Sequence, residues 1–314
     1  MNPTFVTSST SLPPEGAEPS LRQPGAGQAM YNLLITSTQL QELQRQGTPC
    51  AVLDCSFDLM KPELADGLFA AEHILGARHA HLDRHLSTHN ADEAVNGGRH
   101  PLPRREIVAQ WLGSLGIHNG MQIVVYDRNK GHYCGRLWWM LKWLGHEAVA
   151  VLDGGLQAWE DAGGAMASGP EASTAPALFA LNEPLRQLVL TEAVVADLGR
   201  PHQTIIDARA GARYRGEMEP LDPVAGHIPG ALNRPFTDNF TEDGRFKNPE
   251  QLRAEWSRVL AGRPASSVVH HCGSGVTATP NVLAMELAGF GPTALYAGSW
   301  SEWSRTPELP CAQG

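Results

Sequence analysis

The feature that most constrains the fold is an internal repeat. Four segments recur further along the chain, in the same order and about 150 residues away. The pairs are AVLDCS (51–56) with TIIDAR (204–209), EHILGARHAHLD (72–83) with GHIPGALNRPFT (226–237), IVVYD (123–127) with VVHHC (268–272), and VAVLDGGLQAW (149–159) with TALYAGSWSEW (293–303). One match could arise by chance, but four in register indicate a duplicated domain. A chain of 314 residues can hold two such cores.

Within each copy, short apolar runs that predict strands alternate with helical patterns. Apolar residues at three- and four-residue spacing predict helices over 105–116 and 249–262. Two more predicted helices, 135–145 and 280–291, follow strands and end in glycine. Strands that alternate with helices imply a mostly parallel sheet covered on both faces. We therefore predict an α/β protein with two tandem domains, each a mostly parallel sheet flanked by helices.

Composition predicts where these domains begin and end. Residues 1–28 are rich in Pro, Ser, Thr and Gly and lack a secretory signal, which predicts a disordered tail. The N-terminal domain is expected over 29–160 and the C-terminal, catalytic domain over 189–314. Between them, 161–188 begins with a Gly/Ala/Pro/Ser-rich stretch and is expected to be a linker.

Charge and cysteine content exclude several classes of protein. The formal net charge of -9 argues against a general nucleic-acid-binding or anionic-membrane surface. No apolar run approaches the roughly 18 to 20 residues that span a bilayer. The five cysteines are sparse and have no framework spacing, which fits a reducing compartment. We expect a cytoplasmic protein that binds neither nucleic acid nor membrane.

The segment HHCGSGVTATP (270–280) has the features of a nucleophile loop. A predicted strand runs into Cys272, and ligands of parallel sheets bind at the carboxyl ends of strands. Glycines in the loop allow successive N–H groups to turn inward as an anion-binding nest. A helix follows, with Thr279 expected as its cap and Pro280 in its first turn. The nest and the positive helix end both favour a thiolate at Cys272, the form that acts as a nucleophile.

The loop lacks the residue that a cysteine phosphatase needs. Such enzymes place an arginine after five intervening residues, and its planar guanidinium binds the phosphoryl group through two hydrogen bonds. Here that position is Ala278. A thiolate in a nest without arginine suits a smaller and softer electrophile, such as sulfane sulfur. In the first copy Asp127 stands where Cys272 stands in the second, so the first domain is expected to be catalytically silent.

These residues carry a resemblance to a known family. The loop CGSGVTA (272–278) resembles the active-site loop of 3-mercaptopyruvate sulfurtransferases. YAGSWSEW (296–303) resembles the C-terminal signature of the rhodanese superfamily, and DARAGARYRG (207–216) is similar to tandem rhodanese proteins. The resemblance implies a transferase that moves sulfur from 3-mercaptopyruvate, through a persulfide on Cys272, to a thiol or cyanide. It implies no cofactor, and it adds a thioredoxin-like reductant as a partner.

The resemblance also implies roles for individual residues. Ser274 matches a loop serine that pairs with a histidine and an aspartate of the other domain, which here would be His100 and Asp83. Arg213 matches an arginine that binds the substrate carboxylate, and Arg215 is the neighbouring candidate. Backbone N–H groups that would stabilise the persulfide come from Gly273, Gly275, Val276 and Thr277.

One departure from the family pattern leaves the donor open. Leu221 stands where the family has a second substrate arginine, so either Arg213 with Arg215 suffices or the donor preference has shifted. Thiosulfate-preferring relatives carry a basic residue where Gly273 and Ser274 stand here. In this chain the loop therefore places no positive side chain beside the sulfur. The alternatives are a thiosulfate sulfurtransferase and a non-catalytic sulfur carrier.

A histidine-rich run raises the question of a metal site. His79, His81, His85 and His89 lie close together, but no HExxH or CxxC pattern accompanies them. We therefore expect a solvated polar edge and no metal.

Overall fold

The computed structural model describes residues 30–314, so the predicted tail 1–28 lies outside the described residues. The strands are β1 Leu34–Ile35, β2 Cys50–Asp54, β3 His73–Ile74, β4 Arg78–His79, β5 Gln122–Tyr126, β6 Val149–Leu152, β7 Met166–Ala167, β8 Leu188–Val189, β9 Thr204–Asp207, β10 Leu232–Asn233, β11 Val268–His271 and β12 Ala294–Tyr296. The helices are α1 Ser37–Arg45, α2 Ala65–Ala71, α3 Arg105–Ser114, α4 Cys134–Trp143, α5 Gly155–Asp161, α6 Thr191–Ala196, α7 Gly211–Tyr214, α8 Pro249–Leu260, α9 Thr279–Leu287 and α10 Ser299–Trp303.

Two five-stranded sheets carry the fold, and they share one topology. The first has the order β1-β6-β5-β2-β4 and the second the order β8-β12-β11-β9-β10. Every neighbouring pair in both sheets is parallel. Matching strands occupy matching places, so the predicted duplication and the predicted α/β fold class are confirmed. Both sheets turn the carboxyl ends of their central strands, β5 and β11, toward the loops that concern function.

The predicted linker is partly structured. Its strand β7 pairs with β3 in a small antiparallel sheet. Further on, Phe179 is buried in the hydrophobic core, and the N–H of Ala180 donates to the side chain of Asn119 at 2.7 Å. The chain therefore runs along the first domain before it enters the second. The exact domain boundaries stay a prediction.

All four helices predicted from periodicity are present, as α3, α4, α8 and α9. One detail of α9 was wrong. Thr279 is its first residue and not its cap, and the Thr279 hydroxyl donates to the carbonyl of Val276 at 2.7 Å. Pro280 lies in the first turn as predicted, where a missing N–H leaves no helical hydrogen bond unmade.

Helix α4 is the element that joins the two domains. All ten of its residues are buried, because it packs against the first sheet on one side and α9 of the second domain on the other. At Gly135 a Cβ atom would lie 2.8 Å from the hydroxyl of Thr279, so glycine permits this close helix contact. One continuous hydrophobic core therefore contains residues of both domains.

The predicted solvated edge of histidines is wrong in part. His81 is buried, and His79 stacks on Phe69 with ring centroids 5.0 Å apart. His85 stacks on Trp111 at 4.8 Å, and His89 is exposed. Aromatic neighbours that are distant in sequence bury these rings, which no local pattern shows.

The central strand β11 contains a buried histidine, His270, with an unusual environment. Both ring nitrogens of His270 lack a partner among the residues described, and the ring meets Trp256 edge-on with centroids 5.6 Å apart. Burial lowers the pKa of His270 to about 3, so the folded protein holds this ring neutral. An unfolded chain protonates the same ring near pH 6.5.

His270 should therefore make the fold sensitive to acid. Below pH 6.5 the unfolded chain binds a proton at His270 that the folded chain does not bind. The contribution of His270 to the free energy of unfolding is therefore fully present above pH 6.5 and is lost as the pH falls toward 3. The loss amounts to at most about 1.4 kcal/mol per pH unit. We expect His270→Leu to reduce this slope in urea unfolding between pH 6.5 and 4.5. The exposed His202→Leu is the control, and a wild-type slope in His270→Leu would contradict the account.

Candidate active site

The loop after β11 is held from outside by α10. Gly275 has a φ of 72°, and a Cβ atom there would lie 2.3 Å from the carbonyl oxygen of Ala297, so only glycine fits. The N–H of Trp300 donates to the carbonyl of Cys272 at 3.1 Å, and that of Ser301 to the carbonyl of Gly273 at 2.8 Å. With its carbonyls pointing outward to α10, the loop can turn its N–H groups inward.

The N–H groups of this loop have no partner in the part of the chain that the structure describes. None of the backbone N–H groups of residues 273–278 makes a hydrogen bond within the described chain, although every residue of this stretch except Thr277 is buried. Buried N–H groups without partners are rare in folded proteins. The predicted anion-binding nest therefore has its donors available next to Cys272.

The matching loop of the first domain shows what such a nest binds. Asp127, fully buried, accepts hydrogen bonds from the backbone N–H groups of Asn129, Gly131, Tyr133 and Cys134, all at 2.8 to 2.9 Å. A carboxylate thus occupies the place that corresponds to Cys272. The loop geometry suits a bound negative charge, and in the first domain the chain supplies that charge itself.

The other four cysteines are held as thiols. Burial raises the pKa of Cys50 to about 12 and raises those of Cys55 and Cys134 well above the ordinary value. The pKa of Cys311 is also raised by burial, and this residue lies near the C-terminus. Since a thiolate is the nucleophilic form, Cys272 at its nest is the cysteine whose surroundings suit attack.

Residues from both domains meet at Ser274. Its hydroxyl oxygen lies 2.7 Å from Nδ1 of His100, and both side chains are buried. On the other side of the ring, Nε2 lies 3.5 Å from a carboxylate oxygen of Asp83, which is longer than an ordinary hydrogen bond. The three residues predicted as a relay are therefore brought together across the domain interface. Their roles stay a prediction.

Burial sets the protonation of this histidine. Burial, together with the positive charges of Arg136 and Arg99, lowers the pKa of His100 to about 3. At neutral pH the imidazole is therefore uncharged and has one lone pair free. A neutral ring next to a hydroxyl can accept the hydroxyl proton, which is what a relay requires.

A buried arginine that the sequence did not reveal connects these parts. Arg136 of α4 is fully buried and donates to the carbonyl oxygens of Gly275 at 2.9 Å, His100 at 2.9 Å and Leu86 at 3.0 Å. Burial lowers its pKa to about 10, so it remains a cation at neutral pH. One guanidinium thus holds the loop of the second domain against the histidine segment of the first.

The arginines predicted to bind substrate lie in different surroundings. Arg213 is mostly buried and pairs with Glu219 at 2.5 Å and Asp222 at 3.5 Å. Arg215 is exposed and pairs with Glu217 at 2.7 Å. Of the two, Arg213 is the one that reaches the loop.

Two positive side chains from outside the loop lie beside Gly273. A Cβ atom at this residue would lie 2.9 Å from Nη2 of Arg99 and 3.5 Å from Nη1 of Arg213. Neither belongs to the loop, which is why the loop sequence alone did not indicate them. Arg99 directly precedes His100 and forms an ion pair with Asp222.

Comparison with known proteins identifies the family to which this architecture belongs. Two segments of the chain, 36–162 and 190–306, match the rhodanese-like domain family. The chain belongs to the rhodanese family. It contains two tandem copies of the rhodanese domain, which confirms the predicted family.

Several relatives of this rhodanese-family chain are sulfurtransferases. It is 46% identical over 283 residues to a probable 3-mercaptopyruvate sulfurtransferase of Pseudomonas aeruginosa, covering 90% of this chain and 98% of that protein. It is 34% identical over 299 residues to a mouse thiosulfate sulfurtransferase, covering 91% and 97%. The structure of a Leishmania major 3-mercaptopyruvate sulfurtransferase aligns with a TM-score of 0.73 at 31% identity, covering 88% of this chain and 76% of that one. The predicted enzyme class, a transferase of sulfur-containing groups, is confirmed at that level.

Helices that could cross a membrane are absent from residues 30–314. In the same residues, no group of three or more His, Cys, Asp or Glu side chains is arranged to hold a metal ion.

Proposed function

We propose that this chain transfers sulfur from 3-mercaptopyruvate to a thiol or cyanide through a persulfide on Cys272. The observation that carries the proposal is the 2.7 Å contact between Ser274 and His100. 3-Mercaptopyruvate brings a thiol proton that must be moved during the reaction, whereas thiosulfate brings none. A serine paired with a neutral histidine beside the nucleophile suits the first donor.

In the proposed reaction the thiolate of Cys272 attacks the donor sulfur. An S–S bond forms, the donor C–S bond breaks, and its electron pair passes to the enolate of pyruvate. The thiol proton moves through Ser274 toward His100 and returns to the enolate carbon, so pyruvate and a Cys272 persulfide result. Asp83 would orient the imidazole. An acceptor thiol or cyanide then takes the outer sulfur and regenerates the thiolate.

The loop and its arginine would bind the charges of this reaction. The N–H groups of residues 273–278, unpaired within the described chain, are suited to the persulfide anion, as the loop of Asp127 is to a carboxylate. Arg213 beside Gly273 would bind the donor carboxylate. Arg215, at the surface and paired with Glu217, would at most attract the donor from a distance.

Two alternatives remain distinct in their outcome. Thiosulfate is the second candidate donor, and the arginines beside Gly273 favour it too, because thiosulfate is an anion. A sulfur carrier without turnover would accept one sulfur per chain and stop. We also propose a cytoplasmic location and a thioredoxin-like reductant as a thiol partner. The absence of disulfides among the five cysteines supports a reducing compartment.

The first test concerns the nucleophile. Treatment with 3-mercaptopyruvate should add one sulfur to the protein, and peptide mass spectrometry should locate it on Cys272. We expect Cys272→Ser to lose both the added mass and the turnover while it unfolds like the wild type. Cys134→Ser, at a buried thiol held at high pKa, is the matched control and should keep both. Sulfur on Cys134, or turnover in Cys272→Ser, would refute the assignment.

The second test concerns the donor. With cyanide as acceptor, we expect kcat/KM for 3-mercaptopyruvate to exceed that for thiosulfate by at least about tenfold, roughly 1.4 kcal/mol of transition-state preference. The physical reason is that the relay assists only a donor that has a proton to give. Equal or reversed values would make the protein a thiosulfate sulfurtransferase. A single burst of one sulfur per chain would identify a carrier.

A further inference from the structure

We infer that Arg99 is a second residue that binds the donor carboxylate, and that it takes over the task of the arginine that position 221 lacks. This inference rests on the proposed function, because it concerns the same donor. It goes further by naming a specificity residue from the other domain, one that neither the repeat nor the loop sequence indicates.

The guanidinium groups of Arg99 and Arg213 both lie beside Gly273. The atoms closest to the Cβ position of Gly273 are Nη2 of Arg99, at 2.9 Å, and Nη1 of Arg213, at 3.5 Å. Among residues 30–314, neither of these two nitrogens has a hydrogen-bond partner, whereas the Nη1 atom of Arg99 and the Nη2 atom of Arg213 both bind carboxylates. Each arginine is therefore anchored on one side and offers free donors toward the residue that follows Cys272.

One carboxylate, that of Asp222, binds both arginines. The Asp222 carboxylate, fully buried, binds Arg99 through one oxygen and Arg213 through the other. A shared carboxylate sets the two guanidinium groups side by side, as two-point recognition of a second carboxylate requires. The N–H of Arg99 also donates to the hydroxyl of Ser301 at 3.0 Å, so its backbone is attached to the second domain.

Arg99 and Arg213 belong to a cluster of arginines and carboxylates that carries an excess of positive charge. Its four arginines are Arg99, Arg209, Arg213 and Arg305, and its three carboxylates are Asp207, Glu219 and Asp222. Four positive and three negative charges leave one positive charge in excess. Arg99 and Arg213 are about one-fifth exposed, at 21% and 18%, so a small anion can reach them. One donor carboxylate would balance the charge.

Position 221 explains why a second arginine is needed there. Leu221 lies on the same turn as Glu219 and Asp222, and its N–H donates to Glu219 at 3.1 Å. Its side chain cannot bind a carboxylate. An arginine entering from the first domain, directly before His100, supplies the missing donors and ties donor binding to the domain interface.

The test uses a donor with and without the carboxylate. We expect Arg99→Met to raise KM for 3-mercaptopyruvate about tenfold with little change in kcat, the pattern of lost uniform binding. KM for mercaptoacetone, which has a methyl group in place of the carboxylate, should stay within about twofold. Adding Leu221→Arg to Arg99→Met should recover most of the lost affinity. Arg305→Met removes the same charge from the cluster and is the matched control; it should raise KM much less than Arg99→Met, because Arg305 also binds Asp222 but is not among the groups beside Gly273.

The outcomes separate this inference from the proposed function. If wild-type protein does not turn over 3-mercaptopyruvate, the proposed function fails. If it does, and Arg99→Met leaves KM unchanged, the inference alone is wrong. Equal increases for both donors, or an equal effect of Arg305→Met, would reduce Arg99 to a structural ion pair and overturn the inference. Should Arg99→Met fold poorly, Arg99→Gln keeps a polar side chain without the positive charge and gives the same comparison.

Discussion

The site depends on one buried cation, the guanidinium of Arg136. It binds the carbonyl of Gly275 in the nucleophile loop and the carbonyl of His100 in the other domain. Removing a charge from water is costly, and here the cost is offset because three carbonyl oxygens surround the group in a sealed interface. Because every residue of α4 is buried, the element that carries Arg136 is enclosed by both domains, and Arg136 links the loop to the histidine segment from within the interface.

The duplication places different residues at the same point of two matching loops. Both loops follow the central strand of a sheet with the same topology. In the first copy the carboxylate of Asp127 accepts hydrogen bonds from four N–H groups of its own loop. The chain itself therefore occupies that nest. In the second copy Cys272 makes no such contacts, and the N–H groups of residues 273–278 have no partner among residues 30–314. The first domain instead contributes His100, Asp83, Arg99 and Arg136 to the surroundings of the Cys272 loop.

Sequence reasoning predicted what local patterns encode. The repeat, the strand and helix periods and the loop around Cys272 depend on neighbours a few residues apart, so the fold class and the nest could be predicted. The joining of Ser274 to His100 came from family resemblance, because 174 residues separate them. Arg136 and Arg99 were missed because their partners, Gly275 and Asp222, lie 139 and 123 residues away. These contacts form where the two domains pack against each other, and no local sequence pattern predicts them.

The central claim is that Ser274 and His100 act as one unit across the domain interface. A double-mutant cycle of Ser274→Ala and His100→Gln, measured as kcat/KM for 3-mercaptopyruvate, tests it most directly. The account predicts that each single change removes most of the rate and that the double variant is little slower than the slower single one. Thiosulfate, which brings no proton, should be affected far less. Effects that multiply in the double variant would show that the two residues act independently and would contradict the account.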